Sequence, residues 1–363
     1  MMQRAGFRTL KTTMAHLQSR TISSGPSSGP RHLLSISDLT PAEFTKLVLN
    51  ASSHKKAVKD AFAASQTPPK PLHGAMTGKT VAMMFSKRST RTRVSTEAAV
   101  QLMGGHPMFL GKDDIQLGVN ESLHDTSVVI SSMTSCMVAR VGPHSDVTGL
   151  AASSSVPVIN ALSSDFHPLQ TIADFQTIHE SLSSVPSPDG THLGLSHVKI
   201  AWVGDSNNVL FDLAIASIKM GVHISVASPA GYGIPDHIRG IILAAAEGVA
   251  NPGKLTETTV PEEAIKDADI LVTDTWVSMG QEEEAKKRLA AFAGYQITHE
   301  LAKRGGAKPN WKFMHCLPRH PEEVADEVFY DEERSLVFPE AENRLWAAVS
   351  ALEAFVVNKG KIV

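Results

Sequence analysis

The sequence predicts an α/β protein with two doubly wound parallel-sheet domains. Short apolar runs typical of buried strands, such as residues 81–85 and 198–203, alternate with amphipathic helical patterns along the chain. The length of 363 residues suits two domains of roughly 150 residues each. Clusters of polar side chains follow several of the predicted strands, and ligands of open α/β sheets bind beyond the carboxyl ends of the strands.

The composition limits the class of protein. Hydrophobic residues make up 42% and charged residues 20% of the chain, as in ordinary globular proteins. No run approaches the ~18 apolar residues that a membrane span needs, and a net charge of −3 argues against general nucleic-acid binding. Cys136 and Cys316 are the two cysteines and lie far apart in sequence, which disfavours a disulfide framework and fits a reducing compartment. We therefore expect neither a membrane nor a nucleic-acid partner.

The first thirty residues differ in composition from the rest. They contain four basic residues, many hydroxyl side chains and no acid, and the first acid of the chain is Asp38. This composition is typical of an organelle transit peptide, and Phe7, Leu10, Met14 and Leu17 would share one face of an amphipathic helix. A disordered tail is the alternative. We predict a mitochondrial transit peptide at residues 1–30, whose removal changes the net charge from −3 to −7, and a location in the mitochondrial matrix.

The remaining chain divides into predicted parts. Residues 183–196 are rich in Ser, Pro and Gly and lack periodicity, which marks a boundary between domains. We predict a first domain at residues 31–182, a second domain at 183–340, and a C-terminal helix within residues 341–363 that packs back on the first domain.

The individual elements follow from local patterns. Thr40-Pro41-Ala42-Glu43 is a helix start, with Pro at the first helical position and an acid in the first turn. Helices are predicted at residues 37–50, 54–64, 94–102, 121–133, 168–182, 209–220, 235–248 and 340–357. Strands are predicted at residues 81–85, 104–110 (with a turn), 136–141, 156–161, 198–205, 222–227, 269–274 and 311–315.

Residues 79–93 carry the strongest functional signal. An apolar strand ends in Ser89-Thr90-Arg91-Thr92-Arg93 and a helix follows. The N–H groups and the positive dipole of a helix start bind anions, and Arg91 and Arg93 would add guanidinium groups that hold phosphate oxygens in pairs. The alternative is an ordinary N-cap on a basic surface helix. A cap needs one hydroxyl, however, and the clustered cations repel one another unless an anion lies among them, so we predict a phosphate site.

Two further groups of the first half are candidates for the same crevice. Arg140 ends a buried strand, and the alternative for it is a surface arginine. His167 precedes Pro168 at a helix start, where the positive dipole favours the neutral imidazole; its alternative is a helix cap or core residue. Gln170 lies one turn further along.

Three clusters follow strands of the second half. They contain Asn208, the segment Asp274 to Gly280, and the segment His315 to Arg319. The turn at residues 203–208 lacks Gly-x-Gly-x-x-Gly, so a dinucleotide is excluded there. An amide, a carboxylate and a hydroxyl are the groups that a zwitterionic amino acid with a side-chain ammonium requires. Individually, Asp274 could be a helix cap, Ser278 a turn residue and Cys316 a small buried hydrophobe.

Together these motifs resemble the aspartate/ornithine carbamoyltransferase family over nearly all of residues 31–363. The shared motifs are Ser-Thr-Arg-Thr-Arg at 89–93 and His-Pro-Leu-Gln at 167–170. Ser278-Met279-Gly280 after Asp274, and His-Cys-Leu-Pro-Arg at 315–319, resemble the ornithine-specific, mitochondrial eukaryotic branch. The resemblance implies two α/β domains joined by helices with the active site in the cleft between them, a homotrimer and no metal or organic cofactor. It also implies transfer of the carbamoyl group from carbamoyl phosphate to the δ-amine of L-ornithine, giving L-citrulline and phosphate.

The resemblance also implies site residues. Arg140, His167, Asp274 and Cys316 would be catalytic. Carbamoyl phosphate would bind to Ser89, Thr90, Arg91, Thr92, Arg140, His167, Gln170, Cys316, Leu317, Arg344 and, from a neighbouring subunit, Gln116. Ornithine would bind to Asn208, Asp274, Ser278 and Met279. Two alternatives stay open, namely a transcarbamylase for another amine (aspartate, putrescine or an acylated ornithine) and a non-catalytic paralogue that keeps the fold.

Overall fold

The computed structural model describes residues 29–70, 72–115, 121–182, 192–277 and 284–363. The predicted transit peptide therefore lies almost wholly outside the described residues, as do Gln116, Ser278 and Met279. In the described ranges, none of the helices combines the length and hydropathy that crossing a membrane requires.

The first sheet has four parallel strands in the order β2-β1-β3-β4. The strands are β1 (Thr80–Phe85), β2 (His106–Leu110), β3 (Cys136–Arg140) and β4 (Val158–Leu162). The surrounding helices are α1 (Pro41–Ala63), α2 (Thr90–Leu102), α3 (Leu123–Met133), α4 (His144–Ser153) and α5 (Pro168–Leu182). Strands β1 and β3 are almost entirely buried and apolar, as expected for parallel strands covered on both faces.

The second sheet has five parallel strands in the order β7-β6-β5-β8-β9. The strands are β5 (Lys199–Val203), β6 (His223–Ala227), β7 (Leu255–Thr258), β8 (Ile270–Val272) and β9 (Lys312–Met314). The helices are α6 (Asn208–Lys219), α7 (Asp236–Ala244), α8 (Pro261–Ile265), α9 (Ala285–Ala291), α10 (His299–Gly305), α11 (Asp326–Phe329) and α12 (Val337–Leu352). A π-helical turn, Glu353–Val357, follows α12.

The strand orders place the predicted site residues. In the first sheet the chain leaves β1 towards β2 and returns to β3 on the other side; in the second it leaves β5 towards β6 and returns to β8. Ligands of doubly wound sheets bind at these topological switch points, beyond the carboxyl ends of the strands. Ser89, Asp274 and Cys316 lie in the loops after β1, β8 and β9, whereas Arg140 is the last residue of β3 and Asn208 the first residue of α6, which follows β5. The two-sheet α/β architecture predicted from the sequence is confirmed.

Several elements differ from the sequence-based predictions. The helical patterns at 37–50 and 54–64 form one helix, α1, which begins with a capping box between Thr40 and Glu43. Strand β7 and helices α4 and α8–α11 were not predicted, because they are short and have weak periodicity. The C-terminal helix α12 starts at Val337 and contacts α1, α2 and α5 of the first sheet.

A single buried carboxylate connects three parts of the chain near the site. Asp212 on α6 is fully buried and accepts hydrogen bonds from Ser35 Oγ, Ile36 N and His167 N, each at 2.8 Å. These donors belong to the N-terminal segment and to the start of α5, whereas α6 belongs to the second sheet. Asp212 therefore links the two halves of the molecule beside His167.

Replacing Asp212 is expected to destabilise the fold. Asp212→Ala leaves three buried donors without their acceptor, which should lower the free energy of unfolding by about 3 kcal/mol, as measured by urea denaturation. Asp236→Ala is the control, since that side chain is 99% exposed and its loss should cost no more than about 0.5 kcal/mol. Equal stability of Asp212→Ala and the unmodified protein would contradict this role.

Candidate active site

A cavity of about 770 Å³ lies between the two sheets, at the carboxyl ends of their strands. The structure brings twelve of the predicted site residues together in its wall. They are Ser89, Thr90, Arg91, Thr92, Arg140, His167, Gln170, Asn208, Asp274, Cys316, Leu317 and Arg344. The other three predicted residues, Gln116, Ser278 and Met279, lie outside the described residues.

The start of α2 forms one wall of the cavity. Ser89 is the N-cap, and its hydroxyl accepts a hydrogen bond from Thr92 N at 3.3 Å. Arg91 reaches across the cleft and donates to the carbonyl oxygen of Leu317 at 2.5 Å. Lys87 and Arg88 also line the cavity. The wall therefore presents a helix start and several cations to a small volume, which is the arrangement that binds an anion.

The expectation that Arg93 shares this site is wrong. Its guanidinium forms an ion pair with Glu97 at 2.9 Å and stacks on the ring of Phe109 at 3.8 Å, and it does not line the cavity. Successive residues of an α-helix are rotated by about 100°. Arg91 and Arg93 are two positions apart, so their side chains face nearly opposite directions. Arg91 faces the cleft, and Arg93 faces away from it.

Arg140 contributes a buried positive charge. It ends β3 beside Phe85 of β1, and its carbonyl accepts a hydrogen bond from Ser86 N at 2.9 Å. The guanidinium is largely buried, and its Nε has no hydrogen-bond partner among the described residues. Burial, and then the nearby charge of Arg344, lower the pKa of Arg140 to about 10. A desolvated cation with an unpartnered donor is suited to an anionic or carbonyl oxygen.

His167 lies at the start of α5 as a neutral imidazole. Its backbone N–H donates to Asp212, and Nδ1 has no partner among the described residues. Burial is the main cause that holds the pKa of His167 well below its ordinary value, and the charges of Arg344 and Arg140 lower it further. The sequence-based expectation of a neutral imidazole agrees with this direction. A neutral ring can donate one hydrogen bond to a carbonyl oxygen without adding charge.

Gln170 and Arg344 are joined in the cavity wall. Arg344 Nη1 donates to Gln170 Oε1 at 2.6 Å, and Arg344 Nη2 donates to Thr92 Oγ1 at 3.3 Å. Burial lowers the pKa of Arg344 to about 10. Helix α12 thus brings a third guanidinium to the anion end of the cavity, beside those of Arg91 and Arg140.

The opposite end of the cavity has a carboxylate and a thiol in contact. Cys316 Sγ donates to Asp274 Oδ1 at 3.0 Å, and Asn207 Nδ2 donates to Asp274 Oδ2 at 2.8 Å. Burial, and then the charge of Asp274, raise the pKa of the Cys316 thiol well above its ordinary value. Asn208 donates to the carbonyl oxygen of Ser163 at 2.5 Å, across the cleft. Both oxygens of Asp274 therefore accept hydrogen bonds at this end of the cavity, and Cys316 remains a protonated donor.

A buried glutamate that the sequence did not reveal holds the Cys316 loop. The carboxylate of Glu323 accepts from His315 Nε2 at 3.1 Å, from Thr275 Oγ1 at 2.9 Å and from Trp276 N at 3.1 Å. Glu323 therefore connects the segment after β9 to the segment after β8. Leu317 in this loop has a positive φ of 63°, a strained conformation that persists only where its surroundings impose it.

Asp174 and Glu340 were also missed, and Asn207, whose polar side chain suits hydrogen bonding to a small ligand, was not among the predicted site residues. Asn207 fits the pattern of an N-cap, and it caps α6 while it contacts Asp274. Asp174 lies four residues after Gln170 on α5, and Glu340 lies four residues before Arg344 on α12. This is the spacing of exposed side-chain pairs on a helix, but both acids are buried. Among the described residues, no group of three or more His, Cys, Asp or Glu side chains could hold a metal ion.

Comparisons with known proteins agree with this geometry. The family model described as the carbamoyl-P binding domain of aspartate/ornithine carbamoyltransferase matches residues 31–180, and the Asp/Orn binding domain model matches residues 196–355. The mitochondrial ornithine carbamoyltransferase of Coccidioides immitis is 73% identical over 338 residues, covering 92% of this chain and 95% of the relative. That of Emericella nidulans is 67% identical, covering 98% and 97%.

Solved structures give the same result. A crystal structure of a mitochondrial ornithine carbamoyltransferase from Coccidioides immitis superposes with a TM-score of 0.84 at 70% identity, covering 92% of this chain and all of that chain. The ornithine carbamoyltransferase from Pyrococcus furiosus superposes with a TM-score of 0.78 at 39% identity, covering 91% and 98%. The family models together span most of the chain, and the relatives match over nearly its whole length. The chain therefore belongs to the aspartate/ornithine carbamoyltransferase family.

Proposed function

We propose that the protein transfers the carbamoyl group of carbamoyl phosphate to the δ-amine of L-ornithine, forming L-citrulline and phosphate. The observation that carries this proposal is a single cavity with two chemically different ends. One end combines the start of α2 with the guanidinium groups of Arg91, Arg140 and Arg344, and the other combines Asp274 with Cys316. A phosphorylated donor fits the first end, and an amine fits the second.

Carbamoyl phosphate is assigned to the cationic end. The phosphate would be held by Ser89, Thr90, Arg91, Thr92 and Arg344, all of which line the cavity. The carbonyl oxygen would accept hydrogen bonds from Arg140, whose Nε lacks a described partner, and from His167. Gln170 would face the carbamoyl nitrogen, with Cys316 and Leu317 beside it. Gln116 of a neighbouring subunit remains a prediction, because that residue lies outside the described chain.

Ornithine is assigned to the second-domain end. Asp274 is a buried acceptor that would bind the side-chain amine, and Asn208 lines the cavity beside it. Ser278 and Met279 remain predicted ornithine contacts outside the described residues. A carboxylate at this position disfavours aspartate as the acceptor substrate, since like charges would face each other.

The reaction follows from these placements. An alkyl ammonium has a pKa near ~10, so the amine must lose a proton before its lone pair attacks the carbonyl carbon. Asp274 is the acceptor placed to orient the amine and assist that loss, whereas the raised thiol pKa makes Cys316 a donor that orients Asp274. A C–N bond forms, and Arg140 and His167 stabilise the oxyanion of the tetrahedral intermediate. The C–O bond to phosphate then breaks, the attacking nitrogen passes its remaining extra proton to the leaving phosphate, and the arginine groups stabilise that phosphate.

The assembly and location follow as further parts of the proposal. The exposed apolar side chains of Met108 and Met133 line a second cavity of about 590 Å³, and the exposed Val128 and Val129 lie on the same helix, α3, as Met133. Such a surface suits a contact face between subunits of a homotrimer. The basic, acid-free composition of residues 1–30 and the mitochondrial relatives support the mitochondrial matrix as the location.

Removal of Arg91 is expected to weaken carbamoyl phosphate binding. Arg91→Ala deletes a charge-assisted contact to phosphate, worth about 1.5–3 kcal/mol, so the Kd measured by calorimetry should rise by about 10- to 100-fold. Arg93→Ala is a matched control, since Arg93 occupies the same helix but pairs with Glu97 outside the cavity. An unchanged Kd of carbamoyl phosphate for Arg91→Ala would contradict the assignment of Arg91 to the phosphate site.

Removal of the Cys316 thiol is expected to affect the amine end. Cys316→Ala deletes the hydrogen bond to Asp274, and steady-state assays should show a higher KM for ornithine and a lower kcat, by about tenfold in kcat/KM. Binding of carbamoyl phosphate should stay largely intact. Cys136→Ala, a buried cysteine of β3 away from the cavity, should leave the kinetics unchanged. Normal kinetic constants for Cys316→Ala would contradict the assignment.

The molar mass of the protein in solution tests the proposed homotrimer. Light scattering of the purified protein should give about three times the mass of one chain at micromolar concentration. Met133→Glu places a charge on a side chain that is 70% exposed, and it should lower the mass to that of the single chain, because a buried charge disfavours the contact. A monomeric unmodified protein would exclude the proposed assembly.

A further inference from the structure

Two buried acids that do not line the cavity lie directly behind Gln170. Asp174 on α5 is 3% exposed, and Glu340 on α12 is 2% exposed. Neither is among the residues that line the cavity, so neither can contact a substrate there directly. Both acids nevertheless contact Gln170, which lines the cavity.

The contacts of Gln170 fix the orientation of its amide. Gln170 Nε2 donates to Asp174 Oδ1 at 2.7 Å and to Glu340 Oε1 at 3.0 Å, which uses both of its hydrogens. Gln170 Oε1 accepts from Arg344 Nη1 at 2.6 Å. A guanidinium can only donate, so the oxygen must be on the Arg344 side. Gln170 therefore has no hydrogen left for a ligand, but its oxygen retains capacity as an acceptor.

The two acids share a proton. Both carboxylates accept from the same nitrogen, Gln170 Nε2, so their oxygens lie close together. Burial is the main cause that raises the pKa of Asp174 to about 7 and the pKa of Glu340 well above its ordinary value. Two adjacent carboxylates in a low-dielectric interior do not both ionise. One proton between them leaves each acid with an oxygen that accepts from Gln170.

We propose that Asp174 and Glu340 are positioning residues that hold the side-chain oxygen of Gln170 towards the cavity, where it accepts a hydrogen bond from the carbamoyl –NH2 group and so selects carbamoyl phosphate over acyl phosphates. This inference rests on the proposed function. Acetyl phosphate has a methyl group in place of –NH2 and cannot donate to that oxygen. If Gln170 rotated its amide, its –NH2 group would face the donor –NH2 group and the discrimination would be lost.

Asp174 is the better of the two acids to test. The second oxygen of Glu340 accepts from His315 N at 2.9 Å, next to Cys316, so a change of Glu340 would also disturb the amine end of the cavity. The hydrogen bond that the described structure gives the Asp174 side chain is the one to Gln170 Nε2. A change of Asp174 therefore acts on the orientation of Gln170.

The experiment measures the Kd of three ligands, namely carbamoyl phosphate, acetyl phosphate and inorganic phosphate, by calorimetry. Asp174→Leu has the same branching at Cγ but cannot accept from Gln170, and it should raise the Kd of carbamoyl phosphate about tenfold. The Kd values of acetyl phosphate and inorganic phosphate should stay within about twofold. Asp174→Asn should retain carbamoyl phosphate affinity within about threefold, because its oxygen accepts from Gln170 and its –NH2 group replaces the shared proton.

Two further variants make the result interpretable. Asp269→Leu is the matched control: this carboxylate accepts from Lys199 N and Lys308 Nζ at the opposite end of the second sheet, so it should change none of the three Kd values. If Asp174→Leu does not fold, Asp174→Ser has a hydroxyl too short to reach Gln170 and should give the same selective loss.

The outcomes separate this inference from the proposed function. Equal weakening of all three ligands by Asp174→Leu, or a loss with Asp174→Asn as large as with Asp174→Leu, would overturn the positioning role. Unchanged discrimination between carbamoyl and acetyl phosphate would overturn it as well. Failure of the unmodified protein to bind carbamoyl phosphate would instead contradict the proposed function itself.

Discussion

The concentration of positive charge in one buried cavity is the constraint on which the site depends. Arg91, Arg140 and Arg344 come from α2, β3 and α12, and the pKa values of Arg140 and Arg344 are lowered by burial and by neighbouring guanidinium groups. Such a cluster is unfavourable unless negative charge compensates it. The Asp174 and Glu340 pair supplies part of this charge from behind, and a bound phosphate would supply the rest. Burial, and then the charges of this cluster, hold the pKa of His167 well below its ordinary value, and a neutral ring is suited to donate to a carbonyl oxygen.

Hydrogen bonds between the described residues connect the two halves of the molecule beside this cavity. Arg91 donates to Leu317 O, Asn208 donates to Ser163 O, and Asp212 accepts from His167 N. Each involves a residue in or next to the cavity wall, so the cleft is held together by the residues that would contact substrates. The carbamoyl phosphate end and the amine end of the cavity are thereby held next to each other. Such proximity supplies much of the rate enhancement in reactions between two substrates.

The sequence predicted the architecture and most of the cavity wall, because the polar clusters at strand ends depend only on the alternation of strands and helices. It failed where the direction of a side chain depends on helical phase: Arg91 and Arg93 look equivalent in a motif, but only Arg91 faces the cleft. It also missed residues that act through others. Glu323 and Glu340 resemble surface acids in sequence, and only the packing of distant elements buries them beside His315.

The central claim is that one cavity combines a carbamoyl phosphate end with an end specific for the side-chain amine of ornithine. The most direct test is product formation by purified residues 31–363, supplied with carbamoyl phosphate and, in separate reactions, with ornithine, aspartate or putrescine. The account predicts citrulline from ornithine and no product from the other two amines. Carbamoylation of aspartate or putrescine without turnover of ornithine, or no turnover by folded protein that binds carbamoyl phosphate, would contradict it.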